Sequence, residues 1–385
     1  MKKYNLLITG LVVFTLLFSC KQSKKGASIS VDIKNMGDDT VMVALWPYSK
    51  NSPEQFDTLV AHNGKFTLDT TISEPSIGMV LSNKMYTKLS DGTPILIRSK
   101  NIDFFLNPDE QISITGTMND SATDYRVEGG VLNSQNQEFL RTVTKLRKDE
   151  SWKIINVNNL YVSGVPDSVL ENAWEGYSGT KDKITRMKLN FIKEHPDYEI
   201  SAYYLRGEPK ATAMEYFPLL DSTVANSGFG KLMQEKIAVW KSVSPGAEAP
   251  VFSGTTFKKE PFNLQDLRGK YVVLDFWGSW CGPCMSGIPD MKKYQKKYIN
   301  KVQFVSIACR DDSARWAKTI TENNMDWIHI FNNGEGKNNL PKVYGIEGYP
   351  TKIIIGPDGK IVQSFLGETD EFYKKLDELF GNKKS

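Results

Sequence analysis

The stretch from Tyr271 to Cys284 limits the fold of this 385-residue chain more than any other. Residues 271–276 form a nearly unbroken apolar run, which predicts a strand covered on both faces of its sheet. Cys281 and Cys284 follow at the predicted start of a helix that continues toward Tyr298. A buried strand that leads directly into a helix indicates an α/β domain built around a central sheet.

The segments after Cys284 continue this order of strands and helices. Apolar runs, an amphipathic stretch and a Gly-Pro-Asp-Gly turn predict the elements that follow. They are strands at 302–309, 327–331, 352–355 and 361–365, and helices at 313–323 and 370–380. Strand, helix and strand, then a hairpin and a helix, is the element order of a thioredoxin fold. We therefore predict a thioredoxin-like domain at residues 244–385, with residues 244–250 as a linker.

The first third of the chain has a different periodicity. Apolar and polar residues alternate there as in half-buried strands, with turn residues between the runs. Asn63-Gly64 lies between two such runs and predicts a hairpin. The pattern predicts an all-β, sandwich-like N-terminal domain at residues 28–130.

The apolar spacing of residues 131–243 is helical. Asp167 is expected to cap one of these helices, and Pro196, directly after His195, is expected to end another. The predicted fold class is therefore α/β, with a C-terminal thioredoxin fold preceded by a β-rich domain and a helical middle region.

The N-terminus has the pattern of an export signal. Lys2 and Lys3 precede the apolar residues 6–18, a run too short to span a bilayer comfortably. Cys20 follows this run in a sequence that resembles the lipobox of bacterial lipoproteins. A plain signal peptide, with Cys20 incidental, is the alternative.

The lipobox resemblance implies that residues 1–19 are a signal peptide and that Cys20 carries a lipid. Residues 20–27 would then be a lipid-anchored tether. The lipid would hold the protein at a membrane without a spanning helix. The expected location is the cell envelope, facing the periplasm.

Cys281 and Cys284 have the spacing of a redox pair. A cysteine at a helix N-terminus is favoured as a thiolate by the free N–H groups and the helix dipole, and the thiolate is the attacking species. The second sulfur lies one turn further and can attack a mixed disulfide. Gly282 would let the chain turn closely, and Pro283 suits the first turn because its missing N–H is not needed there.

Other uses of the cysteine pair fit less well. A structural zinc site usually needs four ligands, and only Cys309 and three scattered histidines remain. Haem attachment needs a histidine after the second cysteine, where Met285 stands. An inert structural disulfide is unexpected at a strand-to-helix junction. We expect no metal and no cofactor, and the net charge of +3 gives no sign of nucleic-acid binding.

The region around these cysteines is similar to the thioredoxin active site. The last 140 or so residues resemble the membrane-anchored, ResA/TlpA-like branch of the thioredoxin superfamily. The matching features are Asp275, the Cys281-Gly282-Pro283-Cys284 motif, Pro289, Gly348-Tyr349-Pro350-Thr351 and Gly367. The front half resembles the β-rich domain of unknown function that often precedes such domains in lipoproteins.

This resemblance implies a role for each matching residue of the redox centre. Cys281 would attack a substrate disulfide, and Cys284 would resolve the mixed disulfide. Asp275, if buried below the pair, would have a raised pKa and could accept the proton of Cys284. A satisfied buried polar residue is the alternative for Asp275, and a buried apolar role is expected for Cys309.

The resemblance also implies a substrate-binding surface. Trp280 is expected to pack beside the sulfurs and shield them, with pure packing as the alternative. Pro350 would be cis, face the cysteines and leave the preceding backbone to pair with an extended substrate. Gly282 and Pro283 would belong to the same surface. Tyr349 departs from the Ile or Thr that the family leads us to expect.

The function expected from these features is thiol–disulfide exchange, in the direction of reducing exported proteins. The implied partners are disulfide-containing exported proteins, apocytochromes among them, and a membrane thiol donor protein, since no nicotinamide or flavin motif is present. Two alternatives remain open. One is a peroxidase of the peroxiredoxin type, whose Pro-x-x-x-Thr-x-x-Cys spacing is absent; the other is a binding lipoprotein with a secondary thioredoxin module.

Overall fold

The alternating pattern of the first third of the chain folds into paired strands. The structure is a computed structural model that describes residues 26–49, 52–332, 334 and 338–381. The predicted signal peptide, Cys20 and most of the predicted tether lie outside these residues. The chain divides into two compact units, one up to Asn190 and one from Phe191 onward.

The first unit contains ten strands among its described residues, in two four-stranded sheets and one short pair. They are β1 (Ala27–Lys34), β2 (Asp39–Pro47), β3 (Gln55–Ala61), β4 (Lys65–Thr70), β5 (Ser76–Ser82), β6 (Tyr86–Lys88), β7 (Pro94–Leu96), β8 (Ile102–Leu106), β9 (Gln111–Met118) and β10 (Thr123–Glu128). The sheet orders are β10-β9-β1-β4 and β3-β2-β5-β8. Ile29, Val43 and Phe104 share one buried core between them. The predicted strand-rich, sandwich-like architecture is confirmed.

The turn at Asn63-Gly64 forms, but the strands beside it do not pair as a hairpin. His62 and Lys65 exchange two backbone hydrogen bonds of 3.0 Å across the turn. Both central residues have positive φ, 51° at Asn63 and 77° at Gly64. Beyond that bridge β3 joins one sheet and β4 the other. The turn therefore passes the chain between the two layers of the sandwich.

Two long helices follow, α1 (Val131–Val162) and α2 (Asp167–Glu194), so the predicted helical middle region is confirmed. Asp167 is the first residue of α2, whereas the sequence predicted it as the cap. Its carboxylate still lies in the first turn, where negative charge is favourable. The helix ends before His195-Pro196, as expected. Among the described residues, no helix is both long and apolar enough to cross a bilayer.

The second unit contains the helices that complete this region and then the predicted α/β domain. The elements are α3 (Glu199–Leu205), α4 (Lys210–Tyr216), α5 (Ser222–Ala225), α6 (Gly228–Ser242), β11 (Ser253–Thr255), β12 (Pro261–Asn263), β13 (Tyr271–Trp277), α7 (Gly282–Tyr298), β14 (Val302–Cys309), α8 (Ser313–Glu322), β15 (Ile328–Asn332), α9 (Leu340–Val343), β16 (Thr351–Ile355), β17 (Ile361–Leu366) and α10 (Asp370–Phe380). The pair β11 and β12 has no counterpart among the predicted strands.

Strand β13 lies at the centre of a five-stranded sheet of order β15-β14-β13-β16-β17. It runs parallel to β14 and antiparallel to β16. Val272, Leu274 and Phe276 pack on one face, while Val273 and Trp277 pack on the other with residues of α7. Both faces are buried, which explains the unbroken apolar run. The alternation places Asp275 on the face that α7 covers.

Residues 244–250 are an ordered part of the second unit and do not act as a free linker. The Gly246 N–H donates to the Ile361 carbonyl at 2.7 Å, and the Ala249 N–H donates to the Gly359 carbonyl at 3.0 Å. Glu248 also forms an isolated bridge with Lys360. The segment is thus paired with the beginning of β17.

Helix α6 contacts the loop that leads into β16. Lys236 forms an ion pair with Glu347 at 2.9 Å. Gly345 has a φ of 60°, and a Cβ there would come within 3.1 Å of the Trp240 ring. The Lys210 ammonium donates to the Trp240 carbonyl at 3.0 Å. The helices before the thioredoxin fold therefore support the loop two residues from Tyr349.

Candidate active site

The two cysteines of the predicted redox pair form a disulfide, with an S–S distance of 2.07 Å. Cys281 is the N-cap of α7, which begins at Gly282, and its sulfur accepts the Cys284 N–H at 3.2 Å. Both cysteines are about 5% exposed. A Cβ at Gly282 would meet nothing within 4 Å, so space does not require this glycine. Gly282 and Pro283 instead leave an open surface beside Cys281.

Asp275 lies behind the disulfide, on the strand before it. Its Oδ2 accepts the Ser306 hydroxyl at 2.9 Å, and Ser306 accepts the Trp327 indole N–H at 2.9 Å. Asp275 and Cys284 line the same cavity, whose volume is about 10 Å³. The cavity has room for about one water molecule. Burial raises the pKa of Asp275, and the nearby Lys352 charge and the Ser306 hydrogen bond oppose this effect.

The loop before β16 lies beside the disulfide. The bond between Tyr349 and Pro350 is cis, and Pro350 lines the cavity that contains Cys284. The Tyr349 ring meets the Trp280 ring edge to face, with centroids 5.5 Å apart. Trp280 is 44% exposed, and its indole N–H donates to the Cys309 carbonyl at 3.0 Å. Trp280 therefore presents an exposed aromatic surface beside two cysteines that are themselves buried.

Cys309 is a buried free thiol on β14. Burial raises its pKa to about 12, although a hydrogen bond with Tyr349 opposes the rise. A thiol with such a pKa is a poor nucleophile at neutral pH. The expected apolar role of Cys309 agrees with this environment.

Asp311 is a site residue that the sequence analysis missed. Its fully buried side chain accepts the Ser279 N–H and the Ser279 hydroxyl, both at 2.6 Å. The Arg315 guanidinium donates to the Ser279 hydroxyl oxygen at 2.9 Å. Asp311 is the second residue after β14, at the carboxyl edge of the parallel strands, where polar loop residues often serve a site. That position is the signal that could have identified it.

Lys352 and Glu368 were also missed. Lys352 is 1% exposed and lies opposite Asp275 in the pairing of β13 with β16. Its ammonium contacts the Glu368 carboxylate at 2.5 Å. Both side chains line the cavity with Cys284 and Asp275. A lysine inside the apolar run Thr351–Ile355 is unusual and could have been recognised from the sequence.

Comparisons with known proteins match two parts of this chain. A family model described as thioredoxin-like matches residues 269–361, and a model for a domain of unknown function, DUF4369, matches residues 27–135. The solved thioredoxin domain of a thiol-disulfide oxidoreductase from Bacteroides vulgatus is 27% identical, with a TM-score of 0.32, and the match covers 36% of this chain and 99% of that one.

Curated relatives match the same part of the chain. The thiol-disulfide oxidoreductase ResA of Bacillus thuringiensis subsp. konkukian is 31% identical over 138 residues, 34% of this chain and 78% of the relative. ResA of Bacillus subtilis is 32% identical over 141 residues, 34% of this chain and 72% of the relative. With a disulfide at the start of α7 and relatives covered over most of their length, the chain belongs to the ResA-like thiol–disulfide oxidoreductases of the thioredoxin superfamily.

Proposed function

We propose that this oxidoreductase reduces disulfides in exported proteins while a lipid on Cys20 holds it at a membrane, facing the periplasm. The observation that supports the chemistry best is the Cys281–Cys284 disulfide at the N-terminus of α7, with Asp275 behind it in a shared cavity. The export signal and the lipobox resemblance support the location.

The reaction begins with the reduced form of the enzyme. The Cys281 thiolate attacks a substrate disulfide, whose S–S bond breaks, and one substrate sulfur leaves and takes a proton from water. The Cys284 thiol then gives its proton to the Asp275 carboxylate. The Cys284 thiolate attacks the Cys281 sulfur, the Cys281–Cys284 bond forms, and the second substrate sulfur leaves. Two electrons have passed from the enzyme to the substrate.

A membrane thiol donor protein would return the two electrons by the same exchange in reverse. The acceptor is the Cys281–Cys284 disulfide, which another thiolate can attack directly. No nicotinamide or flavin is needed for such a step. Apocytochromes whose cysteines await haem are one class of disulfide substrate that fits this cycle.

The surface beside Cys281 suits an extended polypeptide. Trp280 offers an exposed aromatic face, with Tyr349 packed against its edge. Gly282 and Pro283 keep the other side of Cys281 open. The backbone before Pro350 would pair with the substrate strand as an added β-strand. Aromatic or apolar residues near the substrate cysteine would pack on Trp280.

A trapping experiment tests the proposal. In Cys284→Ala the resolving thiol is absent, so exported proteins should remain disulfide-bonded to Cys281 and appear as adducts on non-reducing gels. The matched control is Cys309→Ala in the same background, which removes a cysteine outside the cycle and should trap equally. Cys281→Ser with Cys284→Ala should trap nothing. An empty trap in the first variant, or full physiological function in Cys281→Ser alone, would contradict the exchange mechanism and favour a binding lipoprotein.

A further inference from the structure

Ser306 is a neutral neighbour of Asp275, and its hydroxyl proton has only one acceptor available. The indole N–H of Trp327 can only donate, and it donates to Ser306. The single Ser306 proton is therefore directed at the Asp275 carboxylate. Ser306 therefore always donates its hydroxyl hydrogen to Asp275. This hydrogen bond stabilises the Asp275 carboxylate, but Ser306 itself carries no charge.

Two further side chains near Asp275, those of Lys352 and Glu368, form a pair of opposite charges. The Lys352 ammonium is buried and lies 5.5 Å from the centre of the Phe372 ring. It contacts one Glu368 oxygen at 2.5 Å, and the Tyr373 hydroxyl donates to the other at 2.5 Å. The Glu368 side chain is 21% exposed, so this carboxylate lies between the cavity and water.

Glu368 reaches the cavity because α7 has a glycine at position 287. A Cβ at Gly287 would overlap both oxygens and the carboxyl carbon of Glu368. A glycine inside a helix is less favourable than an alanine at the same position. Its φ is not positive, so backbone conformation does not require it. The close approach of the carboxylate is the feature that needs a glycine here.

We propose that Lys352 and Glu368 act as opposed positioning charges that set how readily Asp275 takes the proton of Cys284, and that Gly287 is the position that admits the Glu368 carboxylate. This rests on the role of Asp275 proposed above. Lys352 favours the charged form of Asp275, and Glu368 opposes it.

Several titratable groups act on Asp275 or its partners. They are Cys284 on α7, Cys309 on β14, Lys352 on β16, Glu368 after β17 and Tyr373 on α10, with Asp290 of α7 acting on Tyr373. Burial raises the pKa of Tyr373 and of Cys309, so both are neutral near pH 7. Lys352 and Glu368 are therefore the two charges whose removal should move Asp275.

The test is a titration of Asp275 by carbon NMR in the oxidised protein, where neither Cys281 nor Cys284 can titrate. Lys352→Met removes the favourable charge and should move the Asp275 midpoint up by about one pH unit or more. Glu368→Gln removes the opposing charge and should move it down. Gly287→Ala, which changes no titrating group, should displace the Glu368 carboxylate and move the midpoint in the same direction as Glu368→Gln. Glu378→Gln is the control, because this exposed glutamate of α10 pairs with Lys375 and not with the cavity.

A kinetic readout separates this proposal from the one it rests on. Reduced enzyme releases two thionitrobenzoate ions from Ellman's reagent, the first when Cys281 attacks and the second when Cys284 resolves the adduct. The pH midpoint of the second release should move with Asp275 in each variant. Midpoint shifts of equal sign in Lys352→Met and Glu368→Gln, or shifts no larger than in Glu378→Gln, would overturn the charge-pair proposal. Shifts of opposite sign in the NMR titration without any change in the second release would support the pair and refute the proton-accepting role of Asp275.

Discussion

Replacing Asp311 by alanine should release the loop that leads into the redox disulfide. The Asp311 carboxylate accepts two hydrogen bonds of 2.6 Å from Ser279, which lies two residues before Cys281. Its side chain is fully buried. In the alanine variant the Ser279 N–H and hydroxyl lose their acceptor, and only water can replace it.

The expected cost follows from these two bonds. A hydrogen bond to a charged group contributes about 1.5–3 kcal/mol. Ser279 is partly exposed, so water compensates in part and the lower end applies, about 3 kcal/mol for both bonds. The Arg315 side chain is 53% exposed, and its ion pair with Asp311 adds little. In Asp311→Ala the local opening of this loop should therefore cost about 3 kcal/mol less than in the unaltered protein. Such a difference corresponds to about a hundredfold faster amide exchange.

Hydrogen exchange of the oxidised protein measures this directly. The amides of Ser279, Trp280 and Cys281 should lose about two orders of magnitude of protection in Asp311→Ala and less in Asp311→Asn, which retains one acceptor oxygen. Asp312→Ala is the matched control, because it removes the neighbouring carboxylate that caps α8 and leaves Ser279 bonded. If the three amides exchange no faster in Asp311→Ala than in Asp312→Ala, the reasoning about this loop is wrong.

Two further predictions concern Asp275 and Cys20. Burial raises the pKa of Asp275 in the folded protein above its ordinary value of 3.8. At a pH between the ordinary pKa and the folded-state pKa, only the unfolded chain releases the proton. In that range the free energy of unfolding therefore falls by about 1.4 kcal/mol per pH unit. Asp275→Asn should abolish that loss and be more stable at pH 7 in urea denaturation of the oxidised protein; an unchanged pH dependence would show that another group causes it. Cys20→Ala should abolish labelling by radioactive palmitate and release the protein from the membrane fraction, whereas retained label would place the lipid elsewhere.

The thioredoxin-fold elements could be predicted because their signals are local. Strand β14 has the predicted bounds, since most of its residues are apolar and a charged residue lies directly on either side. Cys281 and Cys284 could be identified because their chemistry resides in a short motif, and the Tyr349-Pro350 pair could be identified from the resemblance to the thioredoxin family. In each of these cases, neighbouring residues carry enough information to place the element.

The features that escaped prediction depend on contacts between distant parts of the chain. Asn63-Gly64 specifies a turn, but a turn does not determine which sheet each strand joins. Proline and glycine in residues 244–250 indicate irregular backbone and so predict a linker, yet this backbone pairs with residues more than a hundred positions later. Glu368 reaches the cavity only because Gly287, on another element, leaves the space.

The contact between α6 and the loop before β16 bears on how this redox module can be isolated or transplanted. A fragment that starts at Ser244 keeps all five strands of the central sheet but leaves Gly345 and Glu347 without Trp240 and Lys236. Fusion proteins and crystallisation fragments should therefore begin upstream of Lys210, which bonds to the Trp240 carbonyl. The redox module of this chain therefore has supporting contacts upstream of residues 269–361, which the thioredoxin-like family model matches.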